Sequence, residues 1–390
     1  MMTEIKGGRV IRNGRIYEES VYFADGKLIS KADAYRYGTP DRVIDAKGNY
    51  VSAGFIDIHV HGGGGYDFLD GTEEAFRGAA EFHGKHGTTS MCPTATSGPF
   101  EDMMKMFASY KAIKEKGCNG ADFIGMHMEG PYFALSQMGA QDPKFIRDPD
   151  PAEYERLLEA TDDIVRWSIA PERDTDYVFA SKLSERGIWL SAAHTDVNCR
   201  QMQDAKLHGY THMTHFYSCM KGMERVNGIR IAGAIEAAYL DDDITVEIIA
   251  DGMHLPNELL QMVYKIKGPD RTALITDAIR AAGSANGTKS IIGSLTNGME
   301  VYIERDVAWV PGGQAFAGSI ATTDRLVRTM LGAGIPLVDA VKMASETPAR
   351  LVGATHKGTL DKGKDADIVI FDEGINMQYV IVGGRVITEA

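Results

Sequence analysis

The chain has 390 residues, 44% of them apolar and 24% charged, which is ordinary for a globular enzyme and enough for one large domain or two. A net charge of −13 argues against a nucleic-acid backbone as partner, and an anionic substrate would need a locally positive pocket. No apolar run approaches a membrane span, and Met1 to Arg12 lacks a basic-then-apolar leader. Cys92, Cys118, Cys199 and Cys219 follow no CxxC or framework spacing, so the expectation is a cytoplasmic protein with free thiols and no membrane partner.

In chain order, residues 1–52 read as short strands and turns. Gly8 to Ile11, Ser20 to Phe23 and Arg42 to Ile44 are strand-like, with turns at Asn13-Gly14, Asp25-Gly26 and Lys47-Gly48. Residues 353–390 share that texture, with strands Asp367 to Phe371, Tyr379 to Val382 and Arg385 to Ile387. Neither end alone makes a stable sheet, so both are expected to build one small β-sandwich domain.

Between them, residues 53–352 alternate strand and helix. Strands are expected at Gly54 to His61, Thr88 to Cys92, Phe123 to Glu129, Val165 to Ile169, Ile188 to His194, Tyr210 to His215, Thr245 to Ala250 and Thr272 to Asp277. Helices are expected around Glu73 to His86, Ala152 to Ala160 and Asp174 to Arg186. Eight strands alternating with helices indicate a (β/α)8 barrel of the TIM type; a doubly wound sheet is disfavoured because no GxGxxG follows the first strand. Ile291 to Pro311 reads as an inserted hairpin, and 320–350 as closing helices.

Chemistry in such barrels sits at the C-terminal strand ends. Those ends carry His59 and His61, Glu129, His194, His215, His254 just past the seventh strand, and Asp277. Imidazoles and carboxylates are the ligand types of zinc, and also suit iron, manganese or cobalt. On the first strand Asp57, His59 and His61 share one face, so two imidazoles converge; incidental histidines before a glycine loop are the competing reading. The other histidines take bland roles. His83, His86 and His208 lie near helix C-termini, where positive charge is favoured; His212 is expected on the opposite sheet face from His215; His127 lies one layer deeper; His356 lies beyond the barrel.

With these motifs on the page, the chain resembles the N-acetylglucosamine-6-phosphate deacetylases of the amidohydrolase superfamily over nearly its whole length. The resemblance rests on His127-Met128-Glu129-Gly130-Pro131-Tyr132, Ile169-Ala170-Pro171-Glu172, Ala193-His194-Thr195-Asp196, Thr214-His215-Phe216, Ile249-Ala250-Asp251-Gly252-Met253-His254 and Thr276-Asp277-Ala278. Gly358-Thr359-Leu360 and Gly363-Lys364-Asp365-Ala366-Asp367 match the family's ending. The resemblance implies that Glu129, His194 and His215 hold the catalytic metal, with Asp277 beside it as general base and acid. It implies that His254 contacts the substrate amide oxygen and that His59 and His61 can hold a second ion. The expected cofactor is zinc, one or two ions per subunit, with iron, manganese or cobalt as alternatives.

The substrate pocket departs from the family pattern. Gly139-Ala140-Gln141-Asp142-Pro143 has Gln141 where the family has a sugar-phosphate-contacting histidine. Tyr217-Ser218-Cys219-Met220 replaces Phe-Asn-Ala-Met. An arginine that reaches the neighbouring subunit's phosphate aligns near Asn227, with Arg225 and Arg230 close by as substitutes and Lys221 in the same loop. The expected partners are therefore a small amino-sugar phosphate and a second copy of the chain.

The expected reaction is hydrolysis of the acetamide of an N-acetylhexosamine 6-phosphate, with Asp277 taking the proton of the attacking water and passing it to the leaving amine. The competing reading of Asp277 is a helix N-cap. Two other functions compete: a related amidohydrolase acting on another acylated amine or cyclic amide, and a non-catalytic barrel, which would lack ligands that are all present here.

Overall fold

The computed structural model describes residues 1–390. Its barrel strands are β1 (Phe55–Val60), β2 (Thr88–Ala95), β3 (Met126–Glu129), β4 (Ile164–Ile169), β5 (Trp189–Ala192), β6 (His212–Met213), β7 (Thr245–Ile249) and β8 (Thr272–Ile275). Each pairs in parallel with the next, from β1 with β2 through β7 with β8. The ring closes just beyond β8: Asp277 N–H donates to His59 O at 2.9 Å and His61 N–H to Ala278 O at 2.8 Å. This is the expected (β/α)8 architecture.

Some boundaries differ from the sequence reading, each for a local reason. The third strand is interrupted: Asp122–Phe123 pairs with β2, and Gly125, at φ 120°, separates it from β3. The helix expected from Asp174 begins only at Val178. The Asp174 carboxylate instead accepts the backbone N–H groups of Phe179 and Ala180 and the Tyr210 hydroxyl. The insertion after β8 is not a hairpin but a three-stranded antiparallel meander, Lys289–Ile292, Met299–Glu304 and Val307–Trp309, around its own small apolar core. The closing helices are Thr323–Gly332, Leu337–Ala344 and Glu346–Leu351. No helix is long and apolar enough to cross a membrane.

Both chain ends build one eight-stranded sheet, in which Tyr50–Ala53 pairs antiparallel with Ile368–Phe371. The sheet folds over so that its edge strand Lys27–Ile29 meets the segment leading into Ile368–Phe371: Leu28 N–H donates to Lys364 O and Gly363 N–H to Leu28 O, both at 2.8 Å. Successive side chains of a strand point to opposite faces. Ile368 and Ile370 therefore fill the sheet's own core, while Val369 and Phe371 join the barrel's core. That double burial explains why this strand is a continuous apolar run rather than an alternating one.

A buried charge cluster ties the sheet to the barrel. Lys357, 4% exposed, reaches Asp367 at 2.6 Å, Asp365 at 3.2 Å and Asp122 at 3.2 Å. Removing the cation leaves Asp367 buried without its partner, a loss worth about 3–5 kcal/mol in comparable pairs. Lys357→Met is expected to lower stability by about that amount, read as the shift in urea midpoint. An unchanged midpoint would show that the three carboxylates need no internal cation.

Candidate metal centre and active site

Position within the barrel places most of the chemistry. His59 is on β1 and His61 follows it; Glu129 ends β3; His194, His215 and Asp277 each lie two residues past β5, β6 and β8. These last three share an unusual backbone: φ is 45° at His194, 30° at His215 and 47° at Asp277. Left-handed conformations in non-glycine residues cost about 1–3 kcal/mol each and persist only where the surroundings fix them. Hydrogen bonds do so here. His194 O accepts from Ala134 N–H at 3.0 Å, His215 O from Ser218 N–H at 2.8 Å, and Asp277 O from Ser319 N–H at 2.8 Å. Glycine at 139, itself at φ 57°, lets the facing loop approach, since a Cβ there would sit 2.4 Å from Cys219 Sγ.

The turned backbone breaks strand alternation. His212 was expected on the face opposite the site because of its spacing from His215; instead it points into the barrel, with Nε2 3.2 Å from Glu247 Oε2. His215 reaches the site because its left-handed φ rotates it out of the strand's parity. Asp277 has no helix to cap; a turn from Arg280 to Gly283 follows it.

Four imidazoles converge, and their hydrogen bonds fix which nitrogen faces inward. Nδ1 of His194 donates to Gln137 O at 2.7 Å, that of His215 to Ser218 O at 3.2 Å, and that of His61 to Thr94 O at 3.2 Å. Nδ1 of His59 donates to the Glu247 carboxylate at 2.8 Å. Each neutral ring is therefore left with an Nε2 lone pair. Those lone pairs meet: Nε2 of His194 and His215 are 3.2 Å apart, and Nε2 of His59 and His61 3.3 Å apart. Glu129 Oε1 lies 2.9 Å from His215 Nε2 and 3.2 Å from His194 Nε2; Oε2 lies 3.4 Å from His61 Nε2. Asp277 Oδ1 is 3.1 Å from His61 Nε2.

Two donor triads result, His59, His61, Glu129 and Glu129, His194, His215, sharing one carboxylate. A tetrahedral ion with nitrogen ligands at about 2.0–2.1 Å spaces its donors about 3.3–3.4 Å apart. Lone pairs facing one another at that spacing fit a divalent cation and suit nothing apolar.

The carboxylates of this cluster draw positive charge to it, which protons on the imidazoles supply as well as a cation would. Burial alone would raise the Glu129 carboxyl, but hydrogen bonds from His194 and His215 hold it well below the usual range. Burial would also push His61 down, yet the Asp277 hydrogen bond and the Glu129 charge bring it to about 9. For Asp277, burial is outweighed by the His59 charge and the His61 bond, which keep it ionised. His254 is oriented by Asp251, whose Oδ2 accepts from Nδ1 at 2.8 Å.

A cavity of about 200 Å³ opens on this cluster, lined among others by His61, Glu129, His194, His215, His254 and Asp277. Ala140, Gln141, Ser218 and Cys219 line it too. Gln141, however, is engaged. Its Oε1 accepts from the Thr96 hydroxyl at 2.8 Å and Ser97 N–H at 2.9 Å, while Nε2 donates to Glu129 Oε2 at 2.8 Å. It holds Glu129 rather than projecting at a sugar.

Arg225, Arg230 and Asn227 lie outside the cavity of their own chain. They are exposed on a hairpin, Glu224–Val226 with Ile229–Ile231, where Arg225 pairs directly with Arg230. Asn227 and Gly228, at φ 49° and 85°, form its two-residue turn. That Asn-Gly signal was readable and was missed. Lys221 is neutralised by Glu224 at 2.9 Å.

Among the remaining histidines, His127 is buried against Ser168 Oγ at 2.6 Å, and burial holds it well below its ordinary range. His83 does not carry the charge expected near a helix end: burial lowers it to about 4, and Nε2 donates to Gly62 O at 2.9 Å. The sequence reading also passed over Glu247 and Arg166, a fully buried pair beneath the site. Their signal is a charge inside the otherwise apolar runs of β7 and β4.

Comparison with known proteins adds to the geometry. The amidohydrolase family model matches residues 50–387. The chain is 30% identical to human N-acetylglucosamine-6-phosphate deacetylase over 396 aligned positions, covering 98% of this chain and 94% of that protein. It is 31% identical to the Lysinibacillus sphaericus enzyme of the same name over 96% of this chain and 94% of that one. Its fold is similar to that of a variant of N-acetyl-D-glucosamine-6-phosphate deacetylase from Mycobacterium smegmatis, solved with N-acetyl-D-glucosamine-6-phosphate. The TM-score is 0.87 at 27% identity, over 100% of this chain and 99% of that one.

Glu129 is the one carboxylate shared by both donor triads. Glu129→Gln is expected to reduce bound divalent metal at least about tenfold, measured by elemental analysis of purified protein. Full metal content in that variant would overturn the donor assignment.

Proposed function

Because the chain belongs to the amidohydrolase family, and within it to the N-acetylglucosamine-6-phosphate deacetylases, we infer that it hydrolyses the acetamide of N-acetylglucosamine 6-phosphate to the amino-sugar phosphate and acetate. The observation that carries this reading is the set of four Nε2 lone pairs gathered around Glu129 at the floor of the cavity, with Asp277 beside them. Glu129, His194 and His215 would hold one divalent ion, and His59 and His61, with Glu129 shared and Asp277 adjacent, a second. Zinc fits the nitrogen-rich set best; iron, manganese and cobalt also accept these donors. Such an ion, when bound, acts as a Lewis acid on the acyl oxygen and lowers the pKa of water towards neutrality.

The chain's own groups do the rest. Asp277, ionised and at the cavity wall, takes the proton of the attacking water at Oδ1 or Oδ2. As the tetrahedral carbon collapses, the same carboxyl delivers that proton to the amine nitrogen, so the leaving group departs neutral. His254, its ring fixed by Asp251, presents Nε2 to the cavity as the hydrogen-bond partner of the acyl oxygen. Ala140, Gln141, Ser218 and Cys219 shape the wall around the sugar.

The phosphate needs cations that this cavity's lining lacks. Arg225 and Arg230 supply them from the exposed hairpin, reaching the site of a second copy of the chain. Exposed Met223, Val226 and Ile229, at 54%, 41% and 69%, sit on or beside that hairpin and favour a covering surface, which supports a homodimer. The setting proposed for this sugar metabolism is the reducing cytoplasm, which suits four cysteines with no framework spacing.

Asp277→Asn is expected to keep fold and metal yet lose at least about two orders of magnitude in kcat; turnover near wild type would end its role as proton carrier. The substrate assignment is tested by kcat/KM for the phosphorylated sugar against its unphosphorylated parent. Charge-assisted hydrogen bonds worth about 1.5–3 kcal/mol should favour the phosphorylated sugar by about 10–100-fold, and Arg225→Ala or Arg230→Ala should erode that preference. Equal efficiency on both sugars would move the weight to an amidohydrolase of another acylated amine.

A further inference from the structure

Below the cavity, one carboxylate receives hydrogen bonds from several strands. Glu247, on β7 and fully buried, accepts from His59 Nδ1 at 2.8 Å and from His215 N–H at 3.2 Å through Oε1. Through Oε2 it accepts from Arg166 Nη1 and from His212 Nε2 at 3.2 Å. Arg166, equally buried, also donates from Nε to Ser191 Oγ at 2.8 Å and from Nη2 to Thr214 Oγ1 at 2.9 Å. Four donors thus point at two oxygens, and only an ionised carboxylate offers acceptors on both sides.

We propose that Glu247 is a positioning residue that makes His59 a metal ligand, and that Arg166 fixes the direction in which Glu247 acts. This deepens the two-position reading above and rests on it. Oε1 holds His59 in the Nδ1–H tautomer, which leaves Nε2 a lone pair 3.3 Å from His61 Nε2. The same oxygen pins the backbone N–H of His215, where the chain takes its left-handed turn. One carboxylate therefore prepares a donor of each triad.

Substituting an amide separates this role from simple packing. In Glu247→Gln one of the two oxygens becomes an NH2 group. Arg166 is always cationic and offers only donors, so it takes the remaining oxygen. The NH2 then faces His59 and the His215 N–H. His59 must turn its Nδ1 lone pair to the amide and carry its proton on Nε2, where it no longer ligates. Replacing Arg166 as well frees the amide to rotate its oxygen back to His59.

The experiment measures divalent metal per chain in purified protein and the rate of its loss to a chelator. Wild type is expected to hold two equivalents as purified and Glu247→Gln one, matching His59→Asn; after reloading with excess metal, the chelator should strip the second ion from Glu247→Gln at least about tenfold faster than from wild type. The double variant Arg166→Met/Glu247→Gln should regain the second equivalent, a rescue that a role in barrel packing alone does not produce. Two equivalents in Glu247→Gln, or no recovery in the double variant, would overturn the proposal. Should Glu247→Gln fail to fold, Arg166→Leu/Glu247→Leu leaves no buried charge, a replacement other proteins tolerate. That pair is expected at one equivalent, and two would count against Glu247. A wild-type chain holding a single ion would instead sink the two-position reading. Glu247 is then judged by nitrogen-15 spectra of the metal-free protein, with His59 expected as the Nδ1–H tautomer in wild type and Nε2–H in Glu247→Gln; the same tautomer in both would refute it.

Discussion

Everything at the catalytic end of this barrel answers to one constraint: four imidazole lone pairs have been brought within a few ångströms of one another, and only Glu129 stands between them. Lone pairs do not attract one another, so the arrangement stores a demand for positive charge. The protein meets that demand by design of its periphery. Each Nδ1–H is tied to an acceptor, three of them backbone carbonyls that have no other protonation state. Each neutral ring is thereby held in the tautomer whose lone pair faces inward. Gln141 serves the same end from the other side, orienting Glu129 through Nε2 while its own oxygen is held by Thr96 and Ser97.

The fold was largely legible because its signals are periodic. Eight apolar strands alternating with helices, and a polar residue repeating at strand ends, are patterns that survive without any knowledge of packing. The site was legible as a set of positions, since His61, Glu129, His194, His215, His254 and Asp277 do gather on one cavity. What strand parity could not convey is how three of them get there. Alternation assigns His212 and His215 to opposite faces, yet both turn inward, because His215 has left the strand through a left-handed residue. Backbone strain of that kind is sustained by hydrogen bonds, and those to His194 and Asp277 come from Ala134 and Ser319, tens of residues away in sequence.

Other roles were hard to read for the same reason. Gln141 and Asn227 were weighed as substrate contacts from their places in motifs, but a side chain's role depends on what already occupies its hydrogen-bonding groups. Gln141's oxygen is doubly engaged and its amide is turned to Glu129. Asn227 occupies a turn position that prefers asparagine for conformational reasons. Glu247 and Arg166 went unnoticed for the opposite reason: each is a single charge in an apolar run, and a run scored by hydrophobicity absorbs it. A buried charge at mid-strand demands a partner, and asking for that partner would have paired them.

The small sheet has a consequence for how the chain comes into being. Strand Tyr50–Ala53 is hydrogen-bonded to Ile368–Phe371, so an early-made strand waits for a late-made one. At about 5–20 residues per second, the roughly 315 residues between Ala53 and Ile368 take on the order of 15–60 s to emerge from a ribosome. Through that interval the nascent chain carries an open sheet edge next to a barrel that is still being laid down. An open edge is an invitation to pair with any neighbouring strand. The barrel's metal chemistry is thus housed in a chain whose most vulnerable moment comes during translation, before its last segment closes the sheet that its first segment began.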